Sequence, residues 1–134
     1  MPHLSRWAIR AALLYLLAGF TIGSSLLVQK GVPFIPGVWR LVPAHIEFLI
    51  LGWCAQLSLG VAYWVLPRFR KAPKRGDPRP AWLAVGMLNV GIWLVAIAPF
   101  VDAALDLRLL GRIAELGAAV AFAWHSYPRV RSLR

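Results

Sequence analysis

Apolar residues in this chain fall into four long runs separated by short polar or proline-rich breaks. The first runs from Ala8 to Val28 and is interrupted only by Arg10. The second, Leu41 to Leu66, is the longest, and the third covers Ala81 to Val101. The fourth, Leu107 to His125, is the most polar, carrying Arg112 and Glu115. A hydrocarbon core takes roughly 20 helical residues at about 1.5 Å each, so each run is predicted to be a membrane-spanning helix. The short connections predict an all-α, integral membrane four-helix bundle, a single transmembrane domain over residues 1–134. The first run is too long for the core of a cleaved signal peptide, and no small-x-small cleavage site follows it before the Gly31–Pro36 loop, so it reads as a retained helix.

Composition agrees with this pattern. Sixty per cent of the 134 residues are hydrophobic and only 15% are charged, yet the formal net charge is +10. A disordered chain is excluded, and so is a disulfide scaffold, since Cys54 is the single cysteine. The basic residues are best read as topology. Arg6 and Arg10, then Arg68, Arg70, Lys71, Lys74, Arg75 and Arg79, then Arg129, Arg131 and Arg134 fall on one side, against Lys30, Arg40, Arg108 and Arg112 on the other. The positive-inside rule therefore predicts that both termini are cytoplasmic. The basic loop between the second and third runs sits directly between two spans, which makes it an orienting segment and argues against a nucleic-acid partner. Trp7, Trp39, Trp64, Trp82 and Trp124 lie near span ends, as an aromatic belt in contact with membrane lipid requires.

Ionisable side chains inside a span are costly and therefore candidates for function. His45, Glu47, Arg112 and Glu115 gather in the outer half of the bundle, with Arg40 and Arg108 just above them and Gln56, Asn89 and Thr21 as uncharged company. His45, Leu49, Gly52, Gln56, Gly60 and Tyr63 follow the 3-4 helical repeat and form one stripe. Gly52 and Gly60 on that stripe either admit another helix or let a flat macrocycle lie against the backbone, with Trp53 beside it; Gly19 and Gly23 read as helix packing. An imidazole at the outer end of an apolar helix is what haem iron takes, and arginines such as Arg40, Arg108 and Arg112 match haem propionates. The blander alternative has His45 bonded near a helix start and Arg112 paired with Glu115 at i,i+3. Cys54 faces away from the stripe, and His125 with Tyr127 and Arg129 marks the inner interface.

The segment WRLVPAHIEFLILGWCAQLSLGVAYWVLPRF resembles the second helix of subunit I of the haem-copper oxidase and nitric oxide reductase superfamily, closest to the cbb3-type subunit. The matching elements are an arginine shortly before His45, His45 itself, Gly52-Trp53 seven residues on, Gly60 and the closing Leu66-Pro67-Arg68. The resemblance implies haem b, with His45 as an axial iron ligand. It does not extend to the copper–haem centre: the chain has three histidines, His3, His45 and His125, and no His-His or His-Pro-Glu motif, so no catalytic residue is assigned.

The second axial ligand of a low-spin haem is also missing. His125 is expected roughly 25 Å from His45 along the membrane normal, about 17 residues of offset at about 1.5 Å each. A homodimer about an axis normal to the membrane would place two His45 side chains at one depth. The expected protein is then a bacterial inner-membrane, b-type haem protein in electron transfer or haem-based sensing, served by a redox partner protein. If His45 alone binds, a five-coordinate haem could take a small gas. The rivals are a cofactor-free structural or assembly subunit of a respiratory oxidase complex and, third, a small transporter, whose polar path should cross the whole bilayer.

Overall fold

The structure, a computed structural model, describes residues 1–69, 74–101 and 105–131. Of the residues used for orientation, Arg70, Lys71 and Arg134 lie outside the described residues. Four helices follow in order: α1 (His3–Gly31), α2 (Val38–Val65), α3 (Arg79–Ile97) and α4 (Leu107–Arg131). No strand occurs among the described residues. The expected all-α bundle is what forms.

Among the described residues, three helices are long and apolar enough to cross a membrane: His3–Gly31, Val38–Val65 and Arg79–Phe100. The fourth expected span, Leu107 to His125, forms a helix but is not one of these three. Helix α4 has 25 residues, enough length for a crossing, but Arg112, Glu115 and the polar turn at His125 and Ser126 take it out of that class. The surface of the bundle is unsuited to water: Leu14, Leu17, Leu27, Val65, Leu116 and Trp124 are all largely exposed.

Helix α2 is wound in three ways. Gly37, at φ +77°, turns the chain from the loop after α1 into a 3₁₀ turn (Val38–Leu41), and Pro43 then sits in the first turn of an α-helical segment (Val42–Glu47), where its missing N–H costs nothing. A π-helical stretch (Phe48–Ala55) follows, and the α-helix resumes over Gln56–Val65. Such wide turns occur preferentially at functional positions. Helix α4 starts on Asp106, whose Oδ1 accepts the backbone N–H groups of Arg108 and Leu109 at 3.0 and 3.2 Å.

Two buried clusters hold the bundle. Leu4, Ala8, Tyr63, Ala81, Ala84, Val85 and Phe122 close one end, which brings the start of α1 and the end of α4 together and so puts both chain ends on one side. Tyr15, Ala44, Phe48, Leu88, Ile92, Ala96 and Ala118 fill the remainder. Helices α3 and α4 cross at glycines: a Cβ on Gly91 would lie 2.8 Å from the Gly111 carbonyl oxygen, and one on Gly111 would lie 2.9 Å from that of Gly91. Backbone atoms cannot yield as side chains do. Gly91→Ala is therefore expected to destabilise by about 1–3 kcal/mol, read as a lower thermal midpoint in detergent, whereas Gly86→Ala, which meets open space, is not.

Candidate functional site

The His45 stripe faces α1 along its length. His45 lies against Gly23, Leu49 against Gly19, Gly52 against Tyr15 and Gly60 against Ala8. The π segment does not break this register, because Gly52 within it and Gln56 just after it are both buried. Of the two alternatives for Gly52 and Gly60, the structure realises helix packing: a Cβ on Gly52 would lie 2.5 Å from Tyr15 Cγ, and one on Gly60 would lie 3.0 Å from Ala8 Cβ. Gly19 and Gly23 are the answering small positions on α1, as the sequence indicated.

His45 is half-buried, and its Nδ1–H donates to the Gly19 carbonyl oxygen at 2.8 Å. A carbonyl only accepts, so this bond puts the ring proton on Nδ1 and leaves the lone pair on Nε2. Gly23 makes room for the ring; a Cβ there would lie 2.5 Å from His45 Cε1. The donor thus fits an iron-bound imidazole, whose other nitrogen is characteristically tied to a carbonyl or carboxylate. The glycine face does not supply a cradle, because α1 already lies on it. Trp53 is half-buried beside Gly52, and Cys54 is exposed on the opposite side of α2 from the stripe.

The arginines divide. Arg40 and Arg108 are exposed. Arg112 is engaged: it donates to Glu115 Oε2 at 2.8 Å, the expected i,i+3 pair, and also to Glu47 Oε1 across to α2. The second contact was not legible in the sequence, since 65 residues separate the partners. The Glu47 and Glu115 side chains are almost fully buried, and Glu47 Oε2 and Glu115 Oε1 have no hydrogen-bond partner among the described residues. A single guanidinium therefore serves two buried carboxyl groups.

Deeper in the bundle, the uncharged polar residues join three helices. Tyr15 donates to Asn89 Oδ1 at 2.8 Å, Asn89 Nδ2 donates to Gln56 Oε1 at 2.8 Å, and Gln56 Nε2 reaches the Ala8 carbonyl at 3.5 Å. At the end of the bundle opposite His45, Arg129 is fully buried and donates to the carbonyls of Tyr63, Leu66 and Pro67 at 3.1, 2.7 and 3.0 Å. These are acceptors left over by the end of α2, and the cation also meets the negative end of its dipole. Sequence reading took Arg129 for an orienting charge; its place four residues after His125, on the same face of α4, was the available signal. Arg129→Met is expected to cost about 3 kcal/mol, measured by thermal unfolding. His125 stacks on Tyr63 at 5.3 Å, beside Arg129 and at the opposite end of the bundle from His45. Among the described residues, no group of three or more His, Cys, Asp or Glu is placed to hold a metal ion.

No protein-family model, curated protein or solved structure matches the chain.

Proposed function

We propose that this chain is a multi-pass protein of the bacterial cytoplasmic membrane that binds haem b through His45 and works in electron transfer or haem-based sensing. The observation that carries this reading is the Nδ1–H bond from His45 to the Gly19 carbonyl, which leaves Nε2 as the nitrogen available to iron. The ring would be bound outside the α1–α2 contact. Arg40 and Arg108, exposed near that end, are the cations for its propionates, with Arg112 already taken up by Glu47 and Glu115. Bound haem would supply a one-electron change at its iron. His45 is the one histidine of the outer half, so a bis-histidine iron takes its second imidazole from another copy of the chain in a homodimer. The proposed topology has α4 crossing with the other three helices and both termini in the cytoplasm, where the basic residues attract anionic lipid. A redox protein is the corresponding partner.

The absorption spectrum of the purified protein tests this directly. A bis-histidine site gives a b-type reduced-minus-oxidised spectrum unchanged by carbon monoxide, and a single-histidine site gives a Soret shift with it. A colourless protein from haem-replete cells overturns the reading. That outcome favours a cofactor-free structural or assembly subunit of a respiratory oxidase complex, a role supported by the Tyr15–Asn89–Gln56–Ala8 and Arg129 contacts, in which interior polar groups are spent on holding helices together.

A further inference from the structure

Between α1 and α3, one helical turn inward from the His45–Gly19 contact, lies a cavity of about 270 Å³. Ala11 and Ala18 make the space on α1, while Phe48 and Trp93 form aromatic walls with ring centroids 5.3 Å apart. Leu14 and Trp93 at its rim are more than half exposed, and both lie in helices apolar enough to span a membrane. Whatever enters does so from lipid. A cavity of about 150 Å³ takes a benzene ring, so this one has room for a fused pair of rings but not for a long tail.

One part of the lining is polar, and its unused hydrogen-bonding capacity can be counted. Asn89 Nδ2 donates to the Val85 carbonyl at 2.7 Å and to Gln56 Oε1, which uses both of its hydrogens. The Val85 contact also fixes which amide atom is nitrogen, since a carbonyl only accepts. Asn89 Oδ1 takes the Tyr15 hydroxyl and keeps a second lone pair. The pocket therefore presents one unused acceptor among apolar walls. A hydroxyl group can donate to it; an ether or a hydrocarbon cannot.

We propose that this cavity binds the ring of a lipid-soluble phenol or quinol, a fused aromatic bearing a hydroxyl group, against the Phe48–Trp93 pair with its hydroxyl on Asn89 and its tail left in the bilayer. The proposal does not rest on haem at His45. It makes Asn89 and Tyr15 ligand-contacting residues in addition to ties between helices.

The test uses the full chain in nanodiscs, with protein-free nanodiscs subtracted, and naphthol and methoxynaphthalene as probes in equilibrium dialysis. Naphthol is expected to bind saturably and about fivefold tighter than its methyl ether, the effect of one hydrogen bond. Ala18→Leu and Ala11→Leu, which fill the cavity with apolar atoms, are expected to abolish saturable binding while leaving helical circular dichroism unchanged. Asn89→Leu, which removes the acceptor, is expected to abolish the preference for naphthol over the ether. Equal or tighter binding of the ether to the wild-type protein overturns the proposal without any variant, as does non-saturable naphthol uptake. A co-purifying acyl chain that naphthol fails to displace overturns it as well.

Discussion

The His45→Ala protein is expected to purify colourless under conditions in which the wild type carries a b-type reduced-minus-oxidised spectrum. The expectation follows from the geometry of one ring. His45 Nδ1–H is bonded to the Gly19 carbonyl at 2.8 Å, and Gly23 leaves space for the imidazole edge. Gly23→Ala would bring a methyl carbon within 2.5 Å of His45 Cε1, so the ring must move and lose its carbonyl partner. That variant keeps the histidine, and its haem content is expected to fall by about tenfold, the scale on which loss of a ligand's orienting partner acts. His125→Ala is expected to leave the spectrum intact, because His125 stacks on Tyr63 at the other end of the bundle. A normal bis-histidine spectrum surviving in His45→Ala would sink the assignment.

The second large effect is expected at Arg112. Its side chain is 54% exposed, whereas those of Glu47 and Glu115 are 3% and 9% exposed, so the guanidinium reaches in from the surface to two buried carboxyl groups. Arg112→Leu removes the countercharge and leaves both acids inside. Breaking a buried pair typically costs 3–5 kcal/mol; with one partner half in contact with its surroundings, about 2–3 kcal/mol is expected here. Thermal unfolding in detergent measures it. Adding Glu47→Gln and Glu115→Gln to Arg112→Leu is expected to recover most of the loss, since the penalty lies in the unpaired acids. A single Arg112→Leu variant as stable as the wild type would refute the account.

The two groups were unequally legible in the sequence. The stripe from His45 to Tyr63 is local, set by 3-4 spacing on one helix, and it survives the π segment because its members still face α1. The pairing of Arg112 with Glu115 was likewise a matter of three residues along one helix. Glu47 was visible as a costly charge, but its partner was not, because that contact depends on α2 and α4 meeting at the right height. The Gly91–Gly111 crossing went unread for the same reason: small residues announce a close approach without saying what approaches.

What the sequence determined by itself is the set of helices, the apolar character of the first three, and the gathering of His45, Glu47, Arg112 and Glu115 toward one end. These follow from hydrophobicity and helical period, which are properties of neighbouring residues. The fourth run also forms its helix, α4, which the two charges and the polar turn make less apolar than the other three. Only the tertiary structure decided that α1 covers Gly52 and Gly60, that Arg112 joins two acids, that Arg129 caps α2, and that Ala11 and Ala18 open a cavity in front of Asn89. Each of these is set by which helix lies beside which and at what register, and a one-dimensional pattern carries no record of either.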